Sequence, residues 1–255
     1  LLGFLFDLPI FKSYINSSRF GYDGIFNKVN EVSHLYTIYL VYIYYLTFIL
    51  KQRHCFGFYF IALISLFIGT KTILLFFSLL FVFHFLIVLK ANKPIRLIVL
   101  SLILFTTVFF NKITTFLFGL FPFWSKHQDQ YGILTSLFSK RDFLFFDALD
   151  YIELNWSTIN YFIGGAFYSN TFKLSQMDAT DLILFFGLFG TILYLLIFGY
   201  TFLKKSKSYL NALVIIILIC GFLGGALLTS CASMILLYFV ANHIQLRTLI
   251  NKTTK

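Results

Sequence analysis

The chain of 255 residues is 59% hydrophobic and 21% aromatic but only 12% charged, and its formal net charge is +10. With a mean hydropathy of +0.86 it lies far outside the range of soluble globular domains, which excludes a soluble enzyme. The basic residues sit in short clusters between apolar runs rather than on one polar face, so they point to membrane topology and not to a nucleic-acid partner.

The apolar runs suit ~20-residue helices across ~30 Å of hydrocarbon and lack the ten-residue alternation of a β-barrel. The expected fold is all-α, a polytopic transmembrane helical bundle. The first residue is Leu1 and methionine occurs only at Met177 and Met234. Residues 1–255 are therefore expected to form a single membrane domain, the C-terminal part of a longer polytopic protein, with residues 1–11 as the tail of an earlier element.

In chain order, the first polar cluster is "RFGYDGIFNKVNE", Arg19 to Glu31. Gly21 and Gly24 permit tight turns near a ligand, Arg19 offers a planar fork for phosphate, and Asn30 is placed to cap the following helix. Spans are expected at 32–50, 55–69, 72–89, 95–117, 181–203, 209–225 and 228–244, seven in all. The second polar cluster is the hairpin "GTKT", where Lys71 either snorkels or binds an anion.

Alternate connections hold Lys51 and Arg53; Lys90, Lys93 and Arg96; Lys204, Lys205 and Lys207; and Arg247, Lys252 and Lys255, with no acid among them. All ten acids fall on the other side or at its boundary. The positive-inside rule makes the acid-free side cytoplasmic and the acidic side external.

Residues 121–180 form the longest connection, an external loop of the kind that carries function. Ser139 followed by Asp142 reads as a helix start. Phe145, Ala148, Leu149, Ile152 and Trp156 then share one face and Asp147 and Asp150 the other, which predicts an amphipathic surface helix. On that helix Arg141 falls on the inward side, so an internal partner is expected. Further on, Gly164 and Gly165 form a pair, and "QMDATDLILFFGLFG" places Asp178 and Asp181 at the mouth of a span. These carboxylates either cap the helix or handle a substrate hydroxyl.

Cys55, Cys220 and Cys231 show neither metal-ligand spacing nor a disulfide framework. His34 and His127 are expected on the external side, His84 toward the cytoplasmic part of a span, and His54 and His243 at its inner border. There is no paired-histidine metal motif, P-loop, dinucleotide fingerprint or nucleophile elbow, so no cofactor and no metal are expected.

The ordered set of Arg19 with "GIFNKVN", the "GTKT" hairpin, Lys140 and Arg141, "FIGGAF" and "QMDATDLILFFGLFG" resembles the Wzy-type O-antigen and capsule polymerases, and more distantly the O-antigen ligases. The resemblance implies a metal-independent glycosyltransferase of polysaccharide biosynthesis, multi-pass in the bacterial inner membrane and active at its periplasmic face. Its substrate would be an undecaprenyl-diphosphate-linked oligosaccharide, and its partners membrane lipids, a chain-length regulator and a flippase. It also implies that Arg19 and Arg141, helped by Lys71 and Lys140, hold the diphosphate, with Asn30, Gly164 and Gly165 near substrate and Asp178 or Asp181 serving the acceptor hydroxyl. Gln176 stands where the ligases usually carry a histidine. A ligase, a lipid-linked glycan flippase or transporter, and an envelope docking protein are the alternatives.

Overall fold

The computed structural model describes residues 2–14, 19–24, 26, 28–52, 55–88, 93–165, 175–203 and 208–253. Among them the chain is helical throughout, with one isolated antiparallel bridge between Lys12 and Tyr22. After the short α1 (Leu2–Leu5) come α2 (Val29–Tyr44), α3 (Cys55–Leu66), α4 (Lys71–Phe83), α5 (Lys93–Val108), α6 (Phe110–Gly119), α7 (Pro122–Phe138), α8 (Arg141–Asn155), α9 (Thr158–Ile163), α10 (Asp178–Phe202), α11 (Ser208–Gly224) and α12 (Cys231–Thr253). A π-helical turn extends α2 over Tyr45–Ile49, and another extends α4 over His84–Val88.

The core runs between α2, α4, α11 and α12, where Ile38, Leu40, Phe76, Leu213, Ile217, Leu237 and Ile244 are fully buried. In a bilayer the lipid tails are as apolar as these side chains, so the core is held by close van der Waals packing between the helices rather than by removal of apolar surface from water. The bundle has two distinct ends. At one, the Tyr44 hydroxyl and His84 Nδ1 lie 2.7 Å apart, and Phe83 packs edge-on to Tyr209. At the other meet the N-termini of α2, α4, α10 and α12 and the C-terminus of α11: Thr70 and Ser33 share a 2.8 Å hydrogen bond, and the Ser230 hydroxyl donates to Glu31.

Two helices are long and apolar enough to cross a membrane, Val29–Ile49 and Asp178–Phe202. A third is added if Leu97–Val108 and Phe110–Gly119, bent by 76°, count as one span. The remaining apolar helices are shorter; α3, at 12 residues, rises about 18 Å against ~30 Å of hydrocarbon. Membrane-spanning length is thus shown for two or three helices of the described residues, and it is not shown for all seven of the expected spans.

The sharpest departure is at 95–117, read as one straight span. Thr106 and Thr107 donate back to the carbonyls of Leu102 and Ile103, a bond type that bends helices, and the chain turns just before Asn111 and Lys112. Keeping a lysine out of the hydrocarbon interior favours that turn. On α10 the outward side chains Phe189, Ile192, Leu196 and Tyr200 are exposed, the surface expected of a helix facing lipid. The basic connections at Arg53, Lys90, Lys204, Lys205 and Lys207 lie outside the described residues.

Among the described residues of 121–180 lie three complete helices, α7, α8 and α9, besides the start of α10. α8 occurs where periodicity placed it, with Asp147 and Asp150 exposed and Ala148 buried, but Leu149 is exposed. Ser139 does not cap it: Ser139 and Lys140 both adopt left-handed backbone, with φ of 55° and 65°, and no side chain bonds the first turn. α9 ends where Gly164 crosses α10 at the non-helical Gly187. A Cβ on Gly164 would lie 2.3 Å from the Phe185 carbonyl oxygen and one on Gly187 2.4 Å from the Phe162 carbonyl carbon. Only glycine lets the two backbones touch, and Gly165 N–H then bonds Leu184 O at 3.1 Å.

Asp178 and Asp181 do not cap α10, since no side chain bonds the amides of its first turn. Asp178 Oδ2 accepts from the amides of Leu227 and Leu228, both at 2.9 Å. Asp181 Oδ1 accepts from Ser175 N–H at 2.9 Å and from its hydroxyl at 2.8 Å. The first ties down the α11–α12 turn, the second the segment that enters α10.

Replacing Asp178 with alanine strands two buried amides. The variant is expected to lose about 1–3 kcal/mol of stability, seen as a lower thermal midpoint in detergent. Asp147→Ala, on the exposed face of α8, should stay within about 0.5 kcal/mol of the parent.

Candidate functional site: a cationic cavity at one end of the bundle

The segment carrying Arg19 lies directly across the turn before α4. Gly69, at φ +71°, and Gly21 make this possible: a Cβ on Gly69 would sit 2.3 Å from Phe20 O, and one on Gly21 2.7 Å from Ile68 O. Tyr22 N–H donates to Phe67 O at 2.9 Å across the same contact. The glycines of two distant polar motifs therefore serve one crossing, and it sets Arg19 beside Lys71.

Lys71 does not extend to solvent. Its ammonium donates to the carbonyl of Ser136 and, at 3.2 Å, to Ser139 Oγ, and it lies 3.5 Å from the ring centroid of Trp124. Arg19 shares that tryptophan at 4.9 Å and stacks on Tyr14 at 4.1 Å. Cation–π contacts of this sort are worth about 0.5–2 kcal/mol each and hold the two charged groups over the aromatic faces.

The inward reading of Arg141 has a specific partner: its Nη1 donates to Leu223 O at 2.6 Å, at the end of α11. Burial, then the nearby charge of Arg19, draws the Arg141 guanidinium below its ordinary pKa, while Asp178 and Asp181 act in the opposite direction. An arginine remains protonated under such shifts, so the cavity keeps the charge of its guanidinium groups, while burial and then Arg19 and Arg141 bring Lys71 down to about 7.

Arg19, Asn30, Lys71 and Arg141 line one cavity of about 210 Å³, together with Thr70, Thr72 and Ser139. No carboxylate is among its lining residues, and among the described residues neither Lys71 nor Arg141 has one within 4.0 Å. Asn30 sits in the second position of α2 and faces this space instead of capping the helix. The third cluster thus contributes Arg141 and Ser139 rather than its acids.

Other expected residues lie elsewhere. Asp178 is wholly buried behind the α11–α12 turn and Asp181 is nearly so; neither lines the cavity. Their engagement with backbone amides explains why the acids of this motif stay out of the site. Gly164 and Gly165 belong to the crossing with α10. Lys140 lies 3.9 Å over the ring of Tyr131 and lines an adjoining cavity of about 630 Å³ with Arg19, Ser139, Lys126, Gln130 and His127.

Sequence reading placed His34 outside and assigned it nothing; it is fully buried and donates from Nε2 to Gly225 O at 2.7 Å, leaving Nδ1 without a hydrogen bond. Trp124 was missed too. Its signal was present in "FPFWSK", an aromatic at the edge of an apolar run, the usual setting of an interfacial anchor.

No family model, characterised protein or solved structure matches the chain.

His127, whose Nδ1 lies 2.9 Å from Ser136 Oγ, is held below its ordinary 6.5 by burial first and then by Lys140, Lys71 and Arg19. A base whose folded pKa is depressed favours the fold while neutral. Its contribution is therefore intact above about pH 6.5 and falls as pH drops toward the folded value. In ¹³C-histidine NMR, His127 should titrate below 6.5 and move upward when pyrophosphate is added; an unmoved resonance at saturating pyrophosphate would show that no anion settles among these cations.

Proposed function

We propose that the chain carries the acceptor-side and leaving-group machinery of a Wzy-type polysaccharide polymerase. It would transfer an undecaprenyl-diphosphate-linked oligosaccharide onto another lipid-linked repeat unit at the periplasmic face of the bacterial inner membrane. One observation carries this reading: Arg19, Lys71 and Arg141, from three stretches far apart in sequence, surround one cavity whose lining contains no carboxylate. Like charges gathered in a partly buried site repel one another, and an oxyanion with several acceptor oxygens would relieve that repulsion while taking up the guanidinium donors.

The space flanking the cations suits an amphiphile. Arg19 and Lys71 stand at the edge of a second recess of about 450 Å³ walled by Leu66, Ile73, Leu74, Leu117, Phe118 and Phe121. A phosphate head among the cations and an isoprenoid tail against this wall fit a lipid-linked donor better than a soluble anion.

In the transfer, the acceptor oxygen bonds to the anomeric carbon as the carbon–oxygen bond to the diphosphate breaks. The diphosphate leaves with the electron pair, and the hydroxyl proton passes to a diphosphate oxygen or to water. Cations aimed at the leaving group stabilise charge that grows along this path, an effect worth roughly 10²–10³ in rate for one well-placed donor. Asp178 enters as a support of the α11–α12 turn beside Arg141's partner Leu223, and Asp181 as a support of the segment entering α10; neither acts as a base.

Arg141→Ala is expected to abolish long-chain polysaccharide in cells while leaving single-repeat glycan, with a fall of roughly 10²-fold or more in polymerisation rate. Arg141→Lys should restore only part of it, because an ammonium cannot reproduce the two-pronged contact. Chain-length ladders identical to the parent's in the alanine variant would remove this reading.

A further inference from the structure

The cavity of about 630 Å³ next to the cationic cradle is the larger of the two and takes no part in the diphosphate role. It falls within the ~300–1,000 Å³ range of small-molecule sites. Pro122, Phe123 and Tyr131 supply apolar walls, and Gln130 and Ser139 supply hydrogen-bonding groups. Lys126 and Lys140 add two cations beside Arg19, and here too the lining contains no carboxylate. Aromatic faces carry negative charge that attracts the C–H face of a pyranose, while amide and hydroxyl groups take its hydroxyls.

Arg19 and Ser139 line both this cavity and the smaller one. A ligand that filled both would have a phosphate at one end and a saccharide immediately beside it. A neutral sugar would leave Lys126 and Lys140 unanswered; a carboxylated one would meet them.

We infer that this cavity is a glycan subsite selecting an acidic saccharide, a repeat unit bearing a carboxylate close to its diphosphate end. The assignment rests on reading the chain as a glycan polymerase. It adds the substrate class: uronic or related acids in place of neutral hexoses. Lys126 is exposed, so it is free to answer a carboxylate without disturbing the fold. Lys140 lines the cavity with its ammonium over the ring of Tyr131.

The test uses the full chain in phosphatidylcholine nanodiscs, with circular dichroism to confirm folding of each variant. Isothermal titration compares tetragalacturonate with the neutral galactotetraose, and pyrophosphate is titrated separately. The acidic oligomer should bind about tenfold more tightly than the neutral one at low salt, as two added charge contacts allow, and the gap should narrow as salt rises. Lys126→Gln with Lys140→Gln should erase the preference and leave pyrophosphate binding in place.

Equal affinity for the two oligomers, with pyrophosphate still bound, overturns the acidic subsite and leaves the polymerase reading standing. Binding of the acidic oligomer without any pyrophosphate binding sinks the polymerase reading and keeps the subsite. If the double variant alters only association with nanodiscs containing phosphatidylglycerol, the lysines are headgroup contacts and the inference fails.

Discussion

The turn between α11 and α12 is largely buried at the end of the bundle, and its backbone polar groups have to be satisfied there. Three side chains from three distant helices do this. Arg141 of α8 takes the carbonyl of Leu223, His34 of α2 takes that of Gly225, and Asp178 of α10 takes the amides of Leu227 and Leu228. An unpaired backbone group in such a place costs about 1–3 kcal/mol, so the turn, once formed, pins all three helices. The rest of the site depends on this clasp, because it brings an arginine from a peripheral helix to the end of the core.

Around that fixed point Lys71 and Arg19 are held by aromatic rings and by neutral oxygens. Trp124 spreads its ring beneath both Lys71 and Arg19, and Ser136 and Ser139 give Lys71 oxygen partners. Neutral partners orient a cation but do not cancel it. On the proposed reading, an anion entering from outside the chain would answer that charge.

How much of this was legible in the sequence follows from what each signal measures. Composition and run length gave an all-helical chain with membrane-length segments, since burying backbone in lipid leaves few choices. The 100° step gave the inward turn of Arg141, because periodicity reports a face. The polar motifs marked Gly21 and Gly164 as special but not with which segment each would make contact, as a close approach is a property of two segments. Local capping rules misread Asn30, Ser139 and Asp178, each near a helix start and each claimed by a partner or a cavity remote in sequence, while Asp181 turned to Ser175 just before its helix. The straight span at 95–117 failed because hydropathy averages over a window and does not see two threonines bending a helix.

Arg19 stands at the meeting of three spaces of different character, one greasy, one small and positive, one wide and lined by aromatic rings. A molecule with a tail, a charged joint and a sugar head would find a separate berth for each part and only one way round to lie. Directionality of synthesis would then be a matter of seating: the end that grows and the end that departs are told apart before any bond is broken.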